Sequence, residues 1–283
     1  MLHISRLRPR SRLLYSSSSL CSTVAGSVRS TAASGSTVYE SNRAVNEYLL
    51  SHYGAATDVM PYAGGPHDAL NFIQRSVDAG IENSSKFDRA LDVGCAVGGA
   101  TFVLAKYFRD VVGIDFSQHF VDAANSLKRR GSAEYEILTS GNIFTKRTVH
   151  LDKSIPTDRV TFHQGDACSL DVSKLGTFDL VFASNILCRL PQPRKFIDAL
   201  PKLLRNKGIV VLISPYSWLP EYTQESHWLG GQRAGEDSSS VVATHLSGLG
   251  LKLLKKDNIS FLIREHERKF QYGVSELTVW INE

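Results

Sequence analysis

Cysteine is scarce. The chain has four in 283 residues (Cys21, Cys95, Cys168, Cys188), and no two of them form a C-x-x-C pair. Four cannot frame a disulfide scaffold at this length, and without paired spacing no structural zinc site, or any other metal site, is expected. Long apolar runs are also missing. None approaches the ~18–20 residues a membrane span needs, which excludes an integral membrane protein. The 21 Gly and 9 Pro follow no period, which excludes collagen-like and low-complexity classes, and the sequence has no internal repeat. What remains is ordinary for a globular chain, 42% hydrophobic and 21% charged, and suits one large α/β domain or a medium domain with an appendage.

Acid is absent from the start, where the first carboxylate is Glu40. Residues 1–38 hold five arginines (Arg6, Arg8, Arg10, Arg12, Arg29) and no lysine, and eleven serines fall between Ser5 and Ser36. An Arg-rich, Ser-rich, acid-free segment has the composition of an organellar transit peptide. Leu2, Ile4, Leu7, Leu13, Leu14 and Tyr15 scatter among the arginines as on one face of a short amphipathic helix. A secretory signal needs an unbroken apolar stretch of ~7–15 residues, and none is present. The mitochondrion is the expected destination because the arginines crowd the extreme start. The serine block at 16–19 leaves the plastid as the alternative, and a tail with no import role would mean a cytoplasmic protein. Without this segment 27 basic residues face 28 acids, so nothing in the charge favours nucleic acid or an anionic membrane as partner.

From residue 39 the pattern changes. Val45, Leu49, Leu50 and Tyr53 recur at helical spacing and Gly54 follows as a stop. Residues 55–67 read as a loop and 69–79 as a second helix, so 39–87 forms a helical cap on a domain spanning 39–283. Strands and helices then alternate. Strands are expected at 89–93, 111–115, 160–163, 178–183, 209–214, 251–256 and 275–281. Helices are expected at 98–108, 117–130, 193–204 (stopped by Asn206 to Gly208) and 241–249. Residues 131–159 read as irregular. Such alternation with near-continuous apolar strands predicts an α/β, Rossmann-like, mostly parallel seven-stranded sheet with helices on both faces. Its ligands sit beyond the carboxyl ends of the strands.

The loops at those ends carry the chemistry. After the first strand comes Asp92-Val-Gly94-Cys-Ala96-Val-Gly98-Gly99. Glycines there let a ligand approach the backbone at a helix start. The dinucleotide fingerprint G-x-G-x-x-G is absent, which weighs against a pyrophosphate. The second strand ends in Asp115, followed by Phe116 and 17 residues beyond Gly98. Its carboxylate can accept two hydrogen bonds from a ribose diol. The third ends in Asp166-Ala167 and the fourth in Ala183-Ser-Asn185.

The form D-x-G-x-A-x-G resembles the first motif of class I S-adenosylmethionine (SAM) methyltransferases. That resemblance implies a cofactor site of Asp92, Gly94, Ala96, Gly98, Asp115, Phe116, Asp166, Ala167 and Asn185. In it Asp166 faces the adenine amino group, the Ala167 amide meets a ring nitrogen, and Asn185 lies where the methyl group is passed on. S-adenosylhomocysteine (SAH) is the implied product. A wider set of strings resembles the mercaptohistidine N-methyltransferase family: VYESNRAVNEYLLSHYG, LDVGCAVGGATFVLAKYF, VVGIDFSQHFVDAA, HQGDACSL, LISPYSWLPEYT, HWLGG and IREHERKFQYGVSELTVW. Members are the methyltransferase module that closes ovothiol biosynthesis, usually fused to an iron-dependent 5-histidylcysteine sulfoxide synthase. The resemblance covers residues 38–282 and includes only the methyltransferase module, so it implies a separate sulfoxide synthase as supplier of thiohistidine. Cys188 stands where that family often has an acid.

Methyl transfer from a sulfonium mainly needs alignment and exclusion of water. An imidazole nitrogen beside a ring thiolate is electron-rich, so a strong base is not obligatory. The acceptor's carboxylate calls for an arginine fork, and Arg43, Arg189 and Arg264 are the candidates. Tyr39, Tyr216, Trp218 and Trp228 can wall a flat ring. His227, beside Trp228, can orient the acceptor or take a proton. Cys95 reads as a small buried apolar residue. The alternatives are methylation of another small metabolite or protein side chain, and a non-catalytic methyltransferase-like subunit.

Overall fold

Five apolar segments form the parallel part of one sheet: β1 (Arg89–Val93), β2 (Asp110–Asp115), β5 (Val160–Gln164), β6 (Phe178–Ser184) and β7 (Leu204–Ser214). These elements, like all that follow, come from a computed structural model that describes residues 38–283. The expected transit segment therefore lies outside the described residues, apart from Val38. Two long strands complete the sheet. β9 (Lys269–Asn282) runs antiparallel to both β7 and β8 (Leu251–His266), giving seven strands in the order β5-β2-β1-β6-β7-β9-β8. This is the expected α/β fold.

The parallel strands are apolar throughout because both faces are covered. Alternate residues feed two cores. Ala90, Val111, Leu180, Phe182, Val211 and Val279 join α1 (Asn42–Tyr53), α3 (Phe72–Ile81), α4 (Gly99–Leu104) and α5 (Gln118–Arg130). Leu91, Val112, Val181, Leu212 and Trp280 join α7 (Pro193–Leu203) and α8 (Ser238–Gly248) on the opposite face. Two further helices are short, α2 (Ala56–Val59) and α6 (Val172–Leu175). From β1 the chain winds outward to β2 and β5, then returns to β6 and β7 on the other side. The crevice of such a sheet therefore opens between the carboxyl ends of β1 and β6.

Helix α2 lies inside the expected loop 55–67 and α6 was not expected, and three larger departures concern the strands. Residues 131–159, expected to be irregular, contain an antiparallel hairpin of β3 (Ser132–Ser140) and β4 (Ile143–His150). Its buried Tyr135 and Ile137 alternate with exposed Glu134 and Glu136, the period of a strand with one wet face. The break at 206–208 does not separate helix from strand. β7 starts at Leu204, opposite Phe178, and the intervening residues bulge before Ile209 meets Leu180. The last two strands are longer than expected. Ser214, the end of β7, lies opposite Glu276, and β8 and β9 continue together to a turn between His266 and Lys269. The hairpin thus overhangs the carboxyl edge of the sheet.

Candidate cofactor and acceptor site

The loop after β1 is shaped by positive φ angles at Gly94 (77°), Ala96 (46°) and Gly98 (88°). Two of these positions exclude a side chain on contact grounds as well. A Cβ on Gly94 would lie 2.7 Å from Cδ1 of Ile186, and one on Gly98 2.6 Å from the Phe162 ring. Backbone N–H groups of Gly94 and Cys95 both donate to the Ile114 carbonyl (2.8 and 3.0 Å), which ties the loop to β2. Helix α1 ties it from above. Tyr53 donates its hydroxyl to the Val97 carbonyl at 2.8 Å, and the Gly99 N–H donates to His52 Nδ1 at 3.2 Å. That bond requires an unprotonated ring nitrogen, and burial, which pushes His52 down to about 4, keeps it so.

The carboxylates at the strand ends are partly committed to the backbone. Asp92 is buried and accepts from the Thr101 hydroxyl at 2.6 Å, and burial pushes its carboxyl up to about 7. Asp115 accepts from the Ala96 N–H on one oxygen (2.8 Å) and from the Ser117 N–H on the other (2.9 Å). Burial raises it to about 6. Each of its oxygens keeps a lone pair that could receive a hydroxyl of a diol. Phe116, next to it, is 51% exposed and offers a flat face. Asp166 caps a short turn by accepting from the Cys168 N–H at 2.8 Å through Oδ1, and Ala167 beside it is buried. A loop in which a Cβ would clash, flanked by two carboxylates with remaining acceptor capacity, fits a ligand that brings hydroxyl and amino donors, as an adenosine does.

Across the crevice the backbone is strained again. Asn185, closing β6, has φ 54°, and Tyr216, just past β7, has φ 49°. With Ala96 these are three non-glycine residues in the left-handed region, each at the carboxyl end of a parallel strand. Such conformations cost of order 1–3 kcal/mol each, less for asparagine, and cluster at functional sites. Tyr39 stacks on Tyr222 (centroids 6.2 Å, 28° between planes) and touches Tyr48 and Phe120 at 6.1 and 5.9 Å. Burial raises the Tyr39 phenol, and pushes that of Tyr48 up to about 12. Arg189 lies 4.9 Å from the Tyr222 ring centre, with Nη1 donating to the Ser217 and Cys188 carbonyls at 2.8 and 3.0 Å.

Among the candidate arginines, Arg189 shares contacts with this aromatic cluster. Arg43 is mostly exposed and pairs with Glu47 one turn along α1. Arg264 is buried and donates to the Asp58 carbonyl. Trp218 donates to the Ser238 hydroxyl and Trp228 to the Thr223 carbonyl, both at 2.8 Å. His227 bonds the Pro191 carbonyl through Nδ1 at 3.0 Å. These three therefore tie down the segment between β7 and α8. Tyr216 donates to Glu276 at 2.9 Å. The sequence reading named neither His52, Tyr48 and Tyr222 nor Ser275 and Glu276. All five stand inside strings that carry the family resemblance, but only tertiary contact marks them. Cys95 is buried, as read from the sequence.

Residues 91–212 match the family model described as a methyltransferase domain. Sterol 24-C-methyltransferase of Kluyveromyces lactis is 23% identical over 187 residues, 62% of this chain and 43% of that protein. Ubiquinone biosynthesis O-methyltransferase of Psychrobacter arcticus is 26% identical over 152 residues, 50% of each. The chain thus spans about half the length of the curated relatives it matches. The crystal structure of the N-methyltransferase NodS from Bradyrhizobium japonicum, in complex with SAH, superposes with a TM-score of 0.50 at 16% identity. The match covers 84% of this chain and 98% of NodS, and is a likeness of fold.

Proposed function

From the premise that this chain belongs to the class I SAM-dependent methyltransferase superfamily, we propose that it N-methylates the imidazole ring of a small amino acid, 5-thiohistidine. The observation that carries the reading is the cluster of Arg189, Tyr222 and Tyr39. A guanidinium held by two carbonyls and an aromatic face suits a ligand with one carboxylate and one flat ring. Tyr39 and Tyr222 also lie in two strings that carry the family resemblance, VYESNR and LISPYSWLPEYT.

SAM, when bound, supplies a methyl carbon on a sulfonium whose displacement leaves a neutral sulfide. The chain's own part is positional. Asp115, Asp166 and the loop from Gly94 to Gly98 hold the cofactor. Arg189 takes the acceptor's carboxylate and the stacked tyrosines wall its ring, so that a nitrogen lone pair is aligned and water is kept out. A neutral imidazole nitrogen needs no proton removed before it attacks, and no strong base is assigned. A steady-state assay of 5-thiohistidine against histidine, with mass detection of the product, tests the proposal. Methylated thiohistidine with histidine a poor substrate is the expected result. If neither is methylated while SAH binds, another small metabolite takes its place, and Cys188, buried beneath Arg189, is the first residue to vary.

Two further proposals follow from the same reading. A separate sulfoxide synthase supplies the thiohistidine, and residues 1–38 direct the chain to the mitochondrion. A fluorescent protein fused behind residues 1–38 should co-localise with mitochondria; a cytosolic or plastid signal would refute the second proposal.

A further inference from the structure

Strand β9 touches both strained residues on the acceptor side. Ser275 and Glu276 are consecutive and their side chains leave on opposite faces of the sheet. Ser275 Oγ, fully buried, donates to Asn185 Oδ1 at 2.7 Å, reaching across the end of β7. Glu276 accepts the Tyr216 hydroxyl on one oxygen and, on the other, the Ser239 hydroxyl at 2.8 Å and the Lys256 ammonium at 2.7 Å. The residues that end β6 and β7 in the left-handed region are thus both gripped from the same strand.

The two grips differ in what they leave over. Glu276 has both oxygens engaged, and its effect is to fix the Tyr216 ring. Asn185 is held by its carbonyl oxygen, and its backbone N–H is committed to Ile213 at 2.8 Å. With its oxygen turned to Ser275, the amide carries its two N–H donors on the other branch, facing away from that hydroxyl. We propose that Ser275 is a positioning residue of the methyl-transfer site: its hydroxyl holds Asn185 with the amide nitrogen turned to the crevice, so that the end of β6 recognises a hydrogen-bond acceptor on the bound molecule. The proposal rests on the reading above for what is bound, and on Ser275 and Asn185 alone for how the amide is held. A carboxylate oxygen, a ring nitrogen or a thiolate sulfur on that molecule would satisfy the donor. A hydroxyl or amine would do so only through its lone pair.

Three variants separate the hold from the donor. Ser275→Ala removes the hold, Ser275→Thr keeps it, and Asn185→Asp keeps an oxygen for Ser275 but removes the donor. The first readout is the side-chain amide of Asn185 in 15N-labelled full-length protein, identified by its loss in Asn185→Asp. In wild type and Ser275→Thr it should be rigid by heteronuclear NOE. In Ser275→Ala it should become mobile while SAH affinity and melting temperature stay near wild type. The second readout is methylation of 5-thiohistidine. The acceptor KM should rise and kcat/KM fall, by up to about a hundredfold, in Ser275→Ala and Asn185→Asp, with recovery in Ser275→Thr. An amide equally rigid in Ser275→Ala, or acceptor kinetics equal to wild type there, overturns the proposal. If thiohistidine proves not to be a substrate at all, the substrate reading fails, and the amide NOE alone decides on Ser275.

Discussion

Asp115 does two jobs at one carboxylate, and they respond differently to substitution. Its bonds to the Ala96 and Ser117 amides close the glycine loop onto β2, and its remaining lone pairs are the proposed seat of the ribose diol. Asp115→Asn keeps the shape and one oxygen, but loses the charge and an acceptor. Loss of a charge-assisted bond costs about 1.5–3 kcal/mol, so SAH affinity by isothermal titration should fall roughly tenfold or more; unchanged affinity would sink the assignment. The raised carboxyl adds a pH signature. Below about 6 the folded protein holds a proton on Asp115, and a protonated acid is the poorer acceptor. SAH should therefore bind more tightly as pH rises from 5 to 7, and the slope should flatten in Asp115→Asn. Stability of the free protein runs the other way. Asp92 and Asp115, with folded values of about 7 and about 6 above the usual carboxylate range, favour the folded state at low pH. That contribution is lost as pH rises through those values. A melting series from pH 4 to 8 in wild type and Asp115→Asn measures the Asp115 part of it.

Among the elements, the strands of the parallel sheet were legible because burial on both faces writes an unbroken apolar run, as in IVVLIS. The hairpin β3–β4 was not. Only one of its faces is buried, and its exposed residues are charged, so E-Y-E-I reads as polar unless the period of two is followed. The outer half of β8–β9 was missed for a related reason: beyond Ile259 and Ser275 it leaves the sheet and pairs only with itself. The proposed cofactor acids stood out because Asp115 closes β2 and Asp166 comes two residues past β5. The aromatic cluster was legible only in part: Tyr39 and Arg189 stood out as candidates, Tyr222 did not, and the three come from separate segments that only the fold joins. Helix α1 was legible as a helix, but its contacts with the glycine loop were not. It begins at an N-cap, Ser41, accepting from the Ala44 N–H, buries Leu49 and Leu50, and ends with His52 and Tyr53 on the glycine loop. A chain starting at residue 38 should match the full chain in melting temperature and SAH affinity. One starting at residue 54 loses two buried leucines, worth about 1.5–3 kcal/mol each, together with both loop contacts, and should lose SAH binding. Equal binding by both would remove α1 from the cofactor site.

Across the whole molecule the switch in strand order divides the labour. The proposed cofactor acids Asp115 and Asp166 come from the ends of β2 and β5, on one side of β1, while Asn185, Arg189, Tyr216 and their braces follow or lie on β6, β7 and β9, on the other. Changes on the two sides that share no partner should act independently, adding within about 0.3–0.5 kcal/mol. Arg189→Ala should raise the acceptor KM roughly tenfold or more through loss of a charge-assisted bond, and leave SAH affinity alone. Asp115→Asn should do the reverse, and the double variant should show the product of the two effects in kcat/KM. Tyr39 breaks this separation. Its carbonyl accepts from Ser117 at 3.1 Å, next to Asp115, and its ring touches Phe120 on α5, yet the same ring stacks on Tyr222 beneath Arg189. The adjoining Glu40 holds the start of α5 through the Gln118 N–H and His119. The segment before α1 is therefore a strap that touches α5 and its cap on one side and Tyr222 on the other. Tyr39→Ala should raise the acceptor KM and also weaken SAH, and its effect should couple with Arg189→Ala by 0.5–3 kcal/mol, the range for residues that share a partner. A double-mutant cycle on kcat/KM, with SAH titration of each variant, measures both. A cycle that closes to zero with SAH affinity intact would reduce Tyr39 to a packing residue on α5.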